Sequence, residues 1–467
     1  MAVFIASDGS FPDPSSYDCF VIGSGPAGIT TAVTLAEANR KVLLFESGND
    51  DRERRTMPNA RNTGHFRDGW WDRHSIRGLG GTSQVWSGWC ASLMERDFNN
   101  PAAGVRWPIA RSELFPYYRR AAPILDRSPS ILDPEKPWIP GFLYRPYSRL
   151  RPTRFGARYL DLLRDSPAIH VALSTSVLSL DADMGRSAVS GLTCLRHEGD
   201  ARLQLAIQPG QPVVLAAGGI GNPMLLLQPR PDGGVPVGSE SGLVGRFLME
   251  HPHLRRTVEL VLDEDLYQRR ASEEFGRARH AFVADDEHAA AHGLLGCSVV
   301  SYSKSTDDPM VEYLSWKYGK PFFHYGTEVR GEMLPAPSNR VFLTRERNRA
   351  GLYRPSVNCL VGADDLLSIE RTLRHLARSL IETGKGRVRI DSERLRRGVS
   401  GGGHLMGTTR MGATPSDSVV DRDCRVHGYR NLFVAGSSVF PSGGYANPTL
   451  TIVALALRLA DTIASGR

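Results

Sequence analysis

The N-terminal part of the chain alternates apolar runs with helical patterns. Residues 18–22 (Asp-Cys-Phe-Val-Ile) form a short apolar run that predicts a buried strand, and residues 29–38 carry a helical pattern. Residues 41–45 (Lys-Val-Leu-Leu-Phe) predict a second strand that ends at Glu46. Strands that alternate with helices in this way are typical of an α/β fold with a parallel sheet.

The middle of the chain has a different pattern from its two ends. Between residues 256 and 394, strand-like pieces alternate with turns and are followed by one amphipathic helix. This helix begins at Asp364 and Asp365, whose carboxylates can cap its free N–H groups. We predict a sheet-plus-helix domain at 256–394 that is inserted into an α/β domain formed by residues 1–255 and 395–467.

Composition and charge narrow the class of protein. The 467 residues are 41% hydrophobic and 23% charged, as in ordinary globular proteins, and the net charge of +7 is spread along the chain. Nucleic-acid binding is disfavoured because it requires clustered cations. The six cysteines form no CxxC pair, so we expect neither a metal site nor a disulfide framework. No apolar stretch is long enough to cross a membrane, and residues 1–16 carry no export signal, so we expect a cytoplasmic protein.

A glycine-rich motif joins the first predicted strand to the first helix. In Gly23-Ser-Gly25-Pro26-Ala27-Gly28, Gly23 permits a tight turn, Gly25 lets the backbone approach a pyrophosphate, and Gly28 lets helix and strand pack closely. Glu46 follows the second strand, where a carboxylate accepts hydrogen bonds from a ribose diol. These features predict a dinucleotide site, and FAD and NAD both remain open.

Two further segments have glycines where backbone can approach a ligand. The segment Arg77-Gly-Leu-Gly80-Gly81-Thr82-Ser83-Gln-Val-Trp86-Ser87-Gly88, the Gly80 loop, is interpreted as a buried ligand-contacting loop, with a surface loop as the alternative. Residues 211–217 predict a strand that delivers Ala217 and Gly218 beneath a ligand, although a plain sheet strand fits equally well. The polar residues 50–79 are interpreted as a surface excursion.

The C-terminal part supplies the candidate chemistry. His404 lies in a glycine-rich stretch, residues 432–435 predict a buried strand that turns at Gly436, and Asn447-Pro448-Thr449 opens an apolar helix that runs to about residue 463. The positive end of that helix suits the negative charge that gathers on a reduced cofactor.

The complete set of motifs resembles the glucose-methanol-choline (GMC) oxidoreductase family. The resembling pieces are Gly23 to Gly28 with Glu46, the Gly80 loop, Trp107-Pro-Ile, Val213 to Gly218, Val244 to Pro252, and the C-terminal block. The resemblance implies a Rossmann-like FAD-binding domain with an inserted antiparallel-sheet substrate domain. It also implies cofactor contacts at Gly23, Gly25, Pro26, Ala27, Gly28, Glu46, Gly80, Gly81, Thr82, Ser83, Trp86, Ser87, Val177, Ala217, Gly218, Gly436, Ser437, Asn447, Pro448 and Thr449.

The resemblance also implies a catalytic pair, His404 and Asn447. Many members carry a second histidine where this chain has Asn447, whereas pyranose and cholesterol oxidases are similar in having asparagine, which points to a pyranose oxidase-like branch and a ring hydroxyl. Pyranose oxidases hold FAD covalently through a histidine at the position of Val85. We therefore expect no covalent attachment there.

The resulting hypothesis is an FAD-dependent oxidase or dehydrogenase of a sugar, glycoside or cyclitol. His404 takes the hydroxyl proton, hydride passes to flavin N5, and Asn447 holds the hydroxyl. Oxygen or another acceptor takes the electrons, no nucleic acid or membrane is involved, and the oligomeric state is left open. The alternatives are a non-redox or photochemical member of the same fold (hydroxynitrile lyase or fatty acid decarboxylase type), an NAD-linked disulfide-reductase flavoprotein, and a non-catalytic flavin-binding protein.

The other polar residues receive simpler interpretations. We expect His251 to pack in the core or to lie next to the cofactor. His324, Tyr325, Glu328 and Glu332 are interpreted as surface residues of a strand in the inserted domain, with the lining of a pocket as the alternative.

Overall fold

The computed structural model describes residues 13–466 except for 50–54, 57–60, 63–65, 67–69, 133–135, 150, 184, 186, 197–200, 231–232, 267–278, 306 and 349–350. The α-helices in this part of the chain are α1 (Pro26–Glu37), α2 (Trp70–Arg73), α3 (Glu95–Phe98), α4 (Arg111–Ile124), α5 (Phe155–Asp165), α6 (Gly218–Leu226), α7 (Asp286–His292), α8 (Pro309–Tyr318), α9 (Ala363–Glu382), α10 (Ser392–Arg397) and α11 (Thr449–Ala464).

The strands in the described residues are β1 (Cys19–Ile22), β2 (Val42–Phe45), β3 (Arg55–Thr56), β4 (Arg61–Asn62), β5 (Ile76–Arg77), β6 (Trp89–Cys90), β7 (Asn99–Asn100), β8 (Val105–Arg106), β9 (Lys136–Ile139), β10 (Phe142–Arg149), β11 (Ile169–Ala172), β12 (Thr175–Ala182), β13 (Val189–Arg196), β14 (Ala201–Ala206), β15 (Val213–Leu215), β16 (Pro252–Leu262), β17 (Arg279–Ala284), β18 (Cys297–Ser305), β19 (Phe323–Gly331), β20 (Arg340–Arg347), β21 (Tyr353–Asn358), β22 (Gly386–Ile390), β23 (Val399–Gly401) and β24 (Leu432–Val434).

A parallel sheet brings the two ends of the chain together. Its strand order is β11-β2-β1-β15-β24, and β1, β2, β15 and β24 consist of fully buried residues. Continuous apolar strands suit this arrangement because helices cover both faces of a parallel sheet. β24 pairs in parallel with β15, so the C-terminal segment completes the sheet that begins at β1. The predicted α/β class is confirmed.

A larger sheet forms the second layer of the molecule. Its strand order is β22-β16-β19-β18-β17-β10-β6, with β23 also paired to β16 and β9 to β10, and these pairings are antiparallel. Helix α9 packs on this sheet, with Leu373, Leu376 and Leu380 in one apolar cluster with Leu260 and Val329. The strands β6, β9, β10 and β23 of this sheet come from outside 256–394. Two strands from within 256–394, β20 and β21, lie instead in a separate sheet of order β20-β21-β4. The three-segment division itself stays a prediction.

Helices α9 and α11 begin within one residue of the starts that the sequence predicts for them. Helix α9 begins at Ala363, and the Asp365 carboxylate accepts the backbone N–H groups of Gly362 at 2.7 Å and Leu334 at 2.8 Å. Helix α11 begins at Thr449 and Pro448 is its N-cap residue, so the proline lies one position before the first helical residue.

The interpretation of 50–79 as a surface excursion is wrong for its C-terminal part. Phe66, Trp71, Ile76 and Leu79 are buried, because their apolar side chains pack inward despite the polar residues around them. Residues 50–54, 57–60, 63–65 and 67–69 lie outside the described part. Residues 1–12, on which the expected absence of an export signal depends, lie outside it as well. Within the part that is described, no helix combines the length and apolarity needed to span a bilayer.

Candidate active site

A cavity of about 590 Å³ runs between the parallel sheet, the Gly80 loop and the C-terminal segment. Its volume falls in the range of small-molecule sites, roughly 300–1,000 Å³. The predicted cofactor and catalytic residues that line it are Gly23, Gly25, Pro26, Ala27, Glu46, Gly81, Thr82, Ser83, Trp86, Ser87, Val177, Ala217, Gly218, His404, Gly436, Ser437, Asn447, Pro448 and Thr449. The predicted cofactor residues Gly28 and Gly80 lie behind this wall.

The two glycines outside the cavity have packing roles. A Cβ atom on Gly28 would lie 1.8 Å from the carbonyl oxygen of Gly23, so only glycine permits helix α1 to approach the turn. A Cβ atom on Gly80 would lie 2.4 Å from the backbone nitrogen of Gly156. Gly80 therefore lets the loop dock against helix α5, and the cofactor contacts of Gly28 and Gly80 stay predictions.

The cavity has the features that a dinucleotide requires. Residues at the start of both α1 and α11 line it, so two helix N-termini with free N–H groups and positive dipole ends face the space. Cβ atoms on Gly25, Gly218 and Gly436 would meet no protein atom within 4 Å, which leaves room for a ligand against bare backbone. This arrangement fits a pyrophosphate at α1 and a ring system near α11.

The Gly80 loop is held rigidly from behind. Residues Gly81–Gln84 form one turn of 3-10 helix in which Gly81 and Ser83 are buried. The Ser83 hydroxyl donates to the carbonyl of Gly80 at 2.6 Å, and the Arg154 side chain donates to the carbonyl of Ser83 at 2.6 Å. The indole N–H of Trp86 donates to the carbonyl of Thr153 at 2.8 Å. The structure therefore agrees with a buried loop and disagrees with the surface alternative.

Glu46 connects three backbone segments at the far end of the cavity. One carboxylate oxygen accepts from the backbone N–H and hydroxyl of Ser24, at 3.1 and 2.6 Å. The other accepts from the backbone N–H groups of Gly48 and Gly78, at 2.8 and 2.9 Å. Glu46 thus orders the walls of the site, and its contact with a ribose stays a prediction.

His404 and Asn447 meet at the wall of the cavity. Nε2 of His404 lies 2.8 Å from Nδ2 of Asn447, and both residues are largely buried. An amide NH₂ group only donates, so Nε2 of His404 must accept and must carry a lone pair. The two residues that sequence motifs paired are therefore in direct contact.

The orientation of the Asn447 amide is fixed from the other side. Its oxygen accepts from Nη1 of Arg330 at 3.0 Å and from the hydroxyl of Tyr147 at 3.2 Å. Because arginine can only donate, the amide oxygen must face Arg330 and the NH₂ group must face His404. Arg330 is itself held by Glu328, whose carboxylate lies 3.2 Å from its Nε.

His251 fixes the tautomer of His404. Nε2 of His251 lies 3.3 Å from the carbonyl oxygen of Gly443, which only accepts, so this nitrogen carries the proton. Burial lowers the pKa of His251 to about 3, so the ring is neutral and its Nδ1 is an acceptor. Nδ1 of His404 lies 2.8 Å from that atom and must donate to it. The proton of neutral His404 is thereby held on Nδ1, so Nε2 is unprotonated and can act as a base once a substrate hydroxyl replaces the Asn447 amide as its partner.

Glu250 binds the backbone of the two segments that carry His251 and His404. Its fully buried carboxylate accepts the N–H groups of His251 at 2.8 Å, Gly403 at 2.8 Å and His404 at 2.7 Å. Burial raises the pKa of Glu250 to about 7 although these donors act in the opposite direction. The carboxylate lies 4.0 Å from Nδ1 of His404 and is placed to stabilise an imidazolium.

Electrostatics keep His404 neutral in the resting protein. Burial, followed by the neighbouring His251, His253 and Arg330, holds the pKa of His404 well below its ordinary value. A neutral imidazole with a free Nε2 can accept a proton from a hydroxyl group. Nearby, His253 lies 2.8 Å from Glu328, whose pKa burial would raise but which His253 and Arg330 hold below its ordinary value.

Several site residues escaped sequence reasoning. Tyr325, Glu328 and Glu332 are buried, so the surface interpretation of this strand is wrong for them, and His324 is partly buried. Glu328 and Arg330 alternate along β19, a period typical of a solvated face, but here the face is covered by β18 residue Tyr302 and by Asn447. Pocket residues Arg73 and His74 were missed because their segment is polar.

Two segments of the chain match known protein families, and the chain is similar to known enzymes. Residues 335–456 match the family described as GMC oxidoreductase, and residues 21–50 match the NAD(P)-binding Rossmann-like domain. The chain is 26% identical over 546 aligned residues to 2-methyl-1,2-propanediol dehydrogenase of Mycolicibacterium austroafricanum, covering 96% of this chain and 95% of that protein. It is 52% identical over 62 residues to C-glycoside 3-oxidase of Arthrobacter globiformis, or 13% of this chain and 12% of that protein.

The fold is also similar to solved structures. An FAD-dependent oxidoreductase from Chaetomium thermophilum aligns with a TM-score of 0.64 and 19% identity, covering 96% of this chain and 99% of that chain. This similarity extends over both the parallel and the antiparallel sheet.

Proposed function

The chain belongs to the GMC oxidoreductase family, and we propose that it is an FAD-dependent enzyme that oxidises a CH–OH group of a small molecule to a carbonyl. The observation that carries the proposal is the unprotonated Nε2 of His404 at the cavity wall, which accepts a hydrogen bond at 2.8 Å from an amide NH₂ whose direction is fixed. When bound in the cavity, FAD supplies the hydride acceptor that this oxidation requires.

His404 and Asn447 have complementary roles in this proposal. A substrate hydroxyl that replaces the direct His404–Asn447 hydrogen bond accepts a hydrogen bond from Nδ2 of Asn447 and donates its proton to Nε2 of His404. The resulting imidazolium keeps its Nδ1 proton on His251 and lies near the Glu250 carboxylate. Arg330 places a buried positive charge behind Asn447, which favours a developing alkoxide.

The cofactor is proposed to be FAD held without a covalent bond at the Gly80 loop. The residues that fit it are the glycine turn and first turn of α1 at one end and the first turn of α11 at the other. Val85 lines the cavity and has no nucleophilic atom, so it cannot form a bond to the flavin.

The proposed substrate is a ring hydroxyl of a sugar, glycoside or cyclitol. Two observations support this choice: Asn447 in the place of a second histidine, and the local similarity to C-glycoside 3-oxidase. The proposed acceptor of the electrons is oxygen or another oxidant.

The test is an anaerobic titration of the purified, FAD-loaded protein with candidate substrates, followed by visible absorption spectroscopy. We expect sugars or glycosides to bleach the visible flavin band more effectively than short linear alcohols do, and readmission of air to separate an oxidase from a dehydrogenase. A flavin-containing protein that none of these compounds bleaches would favour a non-redox or photochemical reaction. A protein that cannot be reconstituted with FAD would overturn the proposal.

A further inference from the structure

Three histidines from two helices meet on the outer side of the large sheet. His288 and His292 lie one turn apart on α7, and His375 lies on α9. Nε2 of His288 is 3.2 Å from Nδ1 of His375, and the three ring centroids are 4.2 to 4.9 Å apart. One nitrogen atom from each ring lies within 4.8 Å of the other two. None of the three residues lines the cofactor cavity.

We propose that His288, His292 and His375 bind a divalent first-row transition metal ion of the Zn²⁺ type, with water in the fourth position. Zinc binds histidine nitrogens at about 2.0–2.1 Å, so neighbouring ligands of a tetrahedral ion lie about 3.3 Å apart. The spacing between His288 and His375 already matches this value. His292 is exposed, so its ring is free to turn towards the ion.

The surrounding residues hold His288 in place. A Cβ atom on Gly141 would lie 2.5 Å from Nδ1 of His288, so the glycine, at φ +78°, makes room for the ring. The Asp285 carboxylate accepts the backbone N–H of His288 at 2.7 Å. The hydroxyl of Ser379 on α9 donates to the carbonyl of Pro140 at 2.8 Å, which ties α9 to the same turn.

The charges near the cluster are mixed. The acidic residues Asp286 and Glu287 lie in the first turn of α7. On α9, the positive charges of Arg371 and Arg378 interact electrostatically with His375. Lone-pair donation from three imidazoles, and not net negative charge, must therefore supply the affinity. Such an ion would link α7 to α9 and stabilise this region. The proposal does not depend on the redox reaction.

The experiment is equilibrium dialysis of Zn²⁺ against the FAD-loaded protein, without a histidine tag and stripped beforehand with a chelator. We expect one Zn²⁺ per chain at low micromolar free metal and a zinc-dependent rise in melting temperature. His292→Ala and His375→Ala should each raise the dissociation constant by about tenfold or more and abolish the thermal shift. His170→Ala, which removes a histidine from β11, is the matched control and should bind like the unaltered protein.

Two results would overturn the proposal. One is an absence of stoichiometric zinc binding by the unaltered protein, and the other is zinc binding by the His292→Ala and His375→Ala proteins that is as tight as binding by the unaltered protein. Because His292 is exposed, His292→Ala should keep its flavin spectrum and its flavin reduction, which shows that the variant is folded.

Discussion

Nδ1 of His251 lies 2.8 Å from Nδ1 of His404, and the bond between these two atoms determines which nitrogen of His404 faces the substrate. His251 cannot donate at this position, because its proton is held on Nε2 by the carbonyl of Gly443. The His404 proton must lie on Nδ1, and the opposite nitrogen remains the base. Through this bond, a residue that need not touch substrate orders the active site.

Replacement of His251 should separate this positioning role from simple packing. In His251→Leu, Nδ1 of His404 loses its acceptor, and we expect kcat to fall roughly tenfold or more with little change in KM, because part of the general-base contribution is lost. In His251→Asn, the amide oxygen takes the place of Nδ1 and should restore most of kcat. The measurement is steady-state kinetics across a pH series. Equal losses in both variants, with an unchanged pH profile, would indicate packing alone.

Tyr147 should contribute to catalysis through Asn447 only. Its hydroxyl donates to the amide oxygen of Asn447 at 3.2 Å, and Arg330 donates to the same atom. Tyr147→Phe removes one of two donors, so we expect a loss of about 1 kcal/mol in transition-state stabilisation, about fivefold in kcat/KM. A loss of about a thousandfold would mean that Tyr147 itself contacts the reacting atoms.

Glu250 should make stability depend on pH. Burial raises its pKa in the folded protein from 4.5 to about 7, so its protonated form stabilises the fold below about pH 4.5 and this stability is lost as pH rises through 7. At about 1.4 kcal/mol per pKa unit, the loss is about 3 kcal/mol. Because His251 and His404, whose pKa values are lowered, make stability rise with pH below 6.5, the decline should appear as the difference in denaturant unfolding between the unaltered protein and Glu250→Gln from pH 5 to 8.

The variant Glu250→Gln should lack the Glu250 contribution to this decline. Other buried acids contribute in the same direction, among them Asp97, whose pKa burial and the nearby Glu332 raise to about 7. In this variant the glutamine NH₂ faces a backbone N–H, and two donors cannot pair. We therefore expect the free energy of unfolding to fall by about 1–3 kcal/mol at all pH values. An unchanged slope would show that Glu250 does not titrate in this range.

Gly25 should be required for FAD but not for folding. A Cβ atom at this position meets no protein atom within 4 Å, and the backbone at φ −71° suits any residue. Gly25→Ala should leave the melting temperature of the apoprotein unchanged and raise the dissociation constant for FAD about tenfold, since the methyl group overfills the site. Fluorescence titration with FAD measures this. Gly210→Ala, whose Cβ also meets nothing, is the control and should bind normally.

Sequence patterns predicted those parts of the site that are local in the chain. Each of these parts consists of residues that are close together in the sequence, so a local motif identifies it. They are the Gly23 turn, the Gly80 loop, and the segments that carry His404 and Asn447. Tyr147 and Arg330 were not predicted, because β10 and β19 of the large sheet bring them to the site from distant parts of the sequence. Glu250 was not predicted, because its partners Gly403 and His404 lie about 150 residues further along the chain. A polar residue on a strand looks solvated in the sequence, and only tertiary packing shows that Glu328 is covered.

The most direct test of the account is rapid-mixing measurement of anaerobic flavin reduction, with a substrate deuterated at the CH–OH carbon, in the unaltered protein and in His404→Ala. We expect a primary isotope effect on reduction in the unaltered protein, because the C–H bond breaks in that step. We expect His404→Ala to reduce its flavin about 10²- to 10⁴-fold more slowly. Reduction of the His404→Ala protein at the unaltered rate would contradict the assignment of His404 as the base.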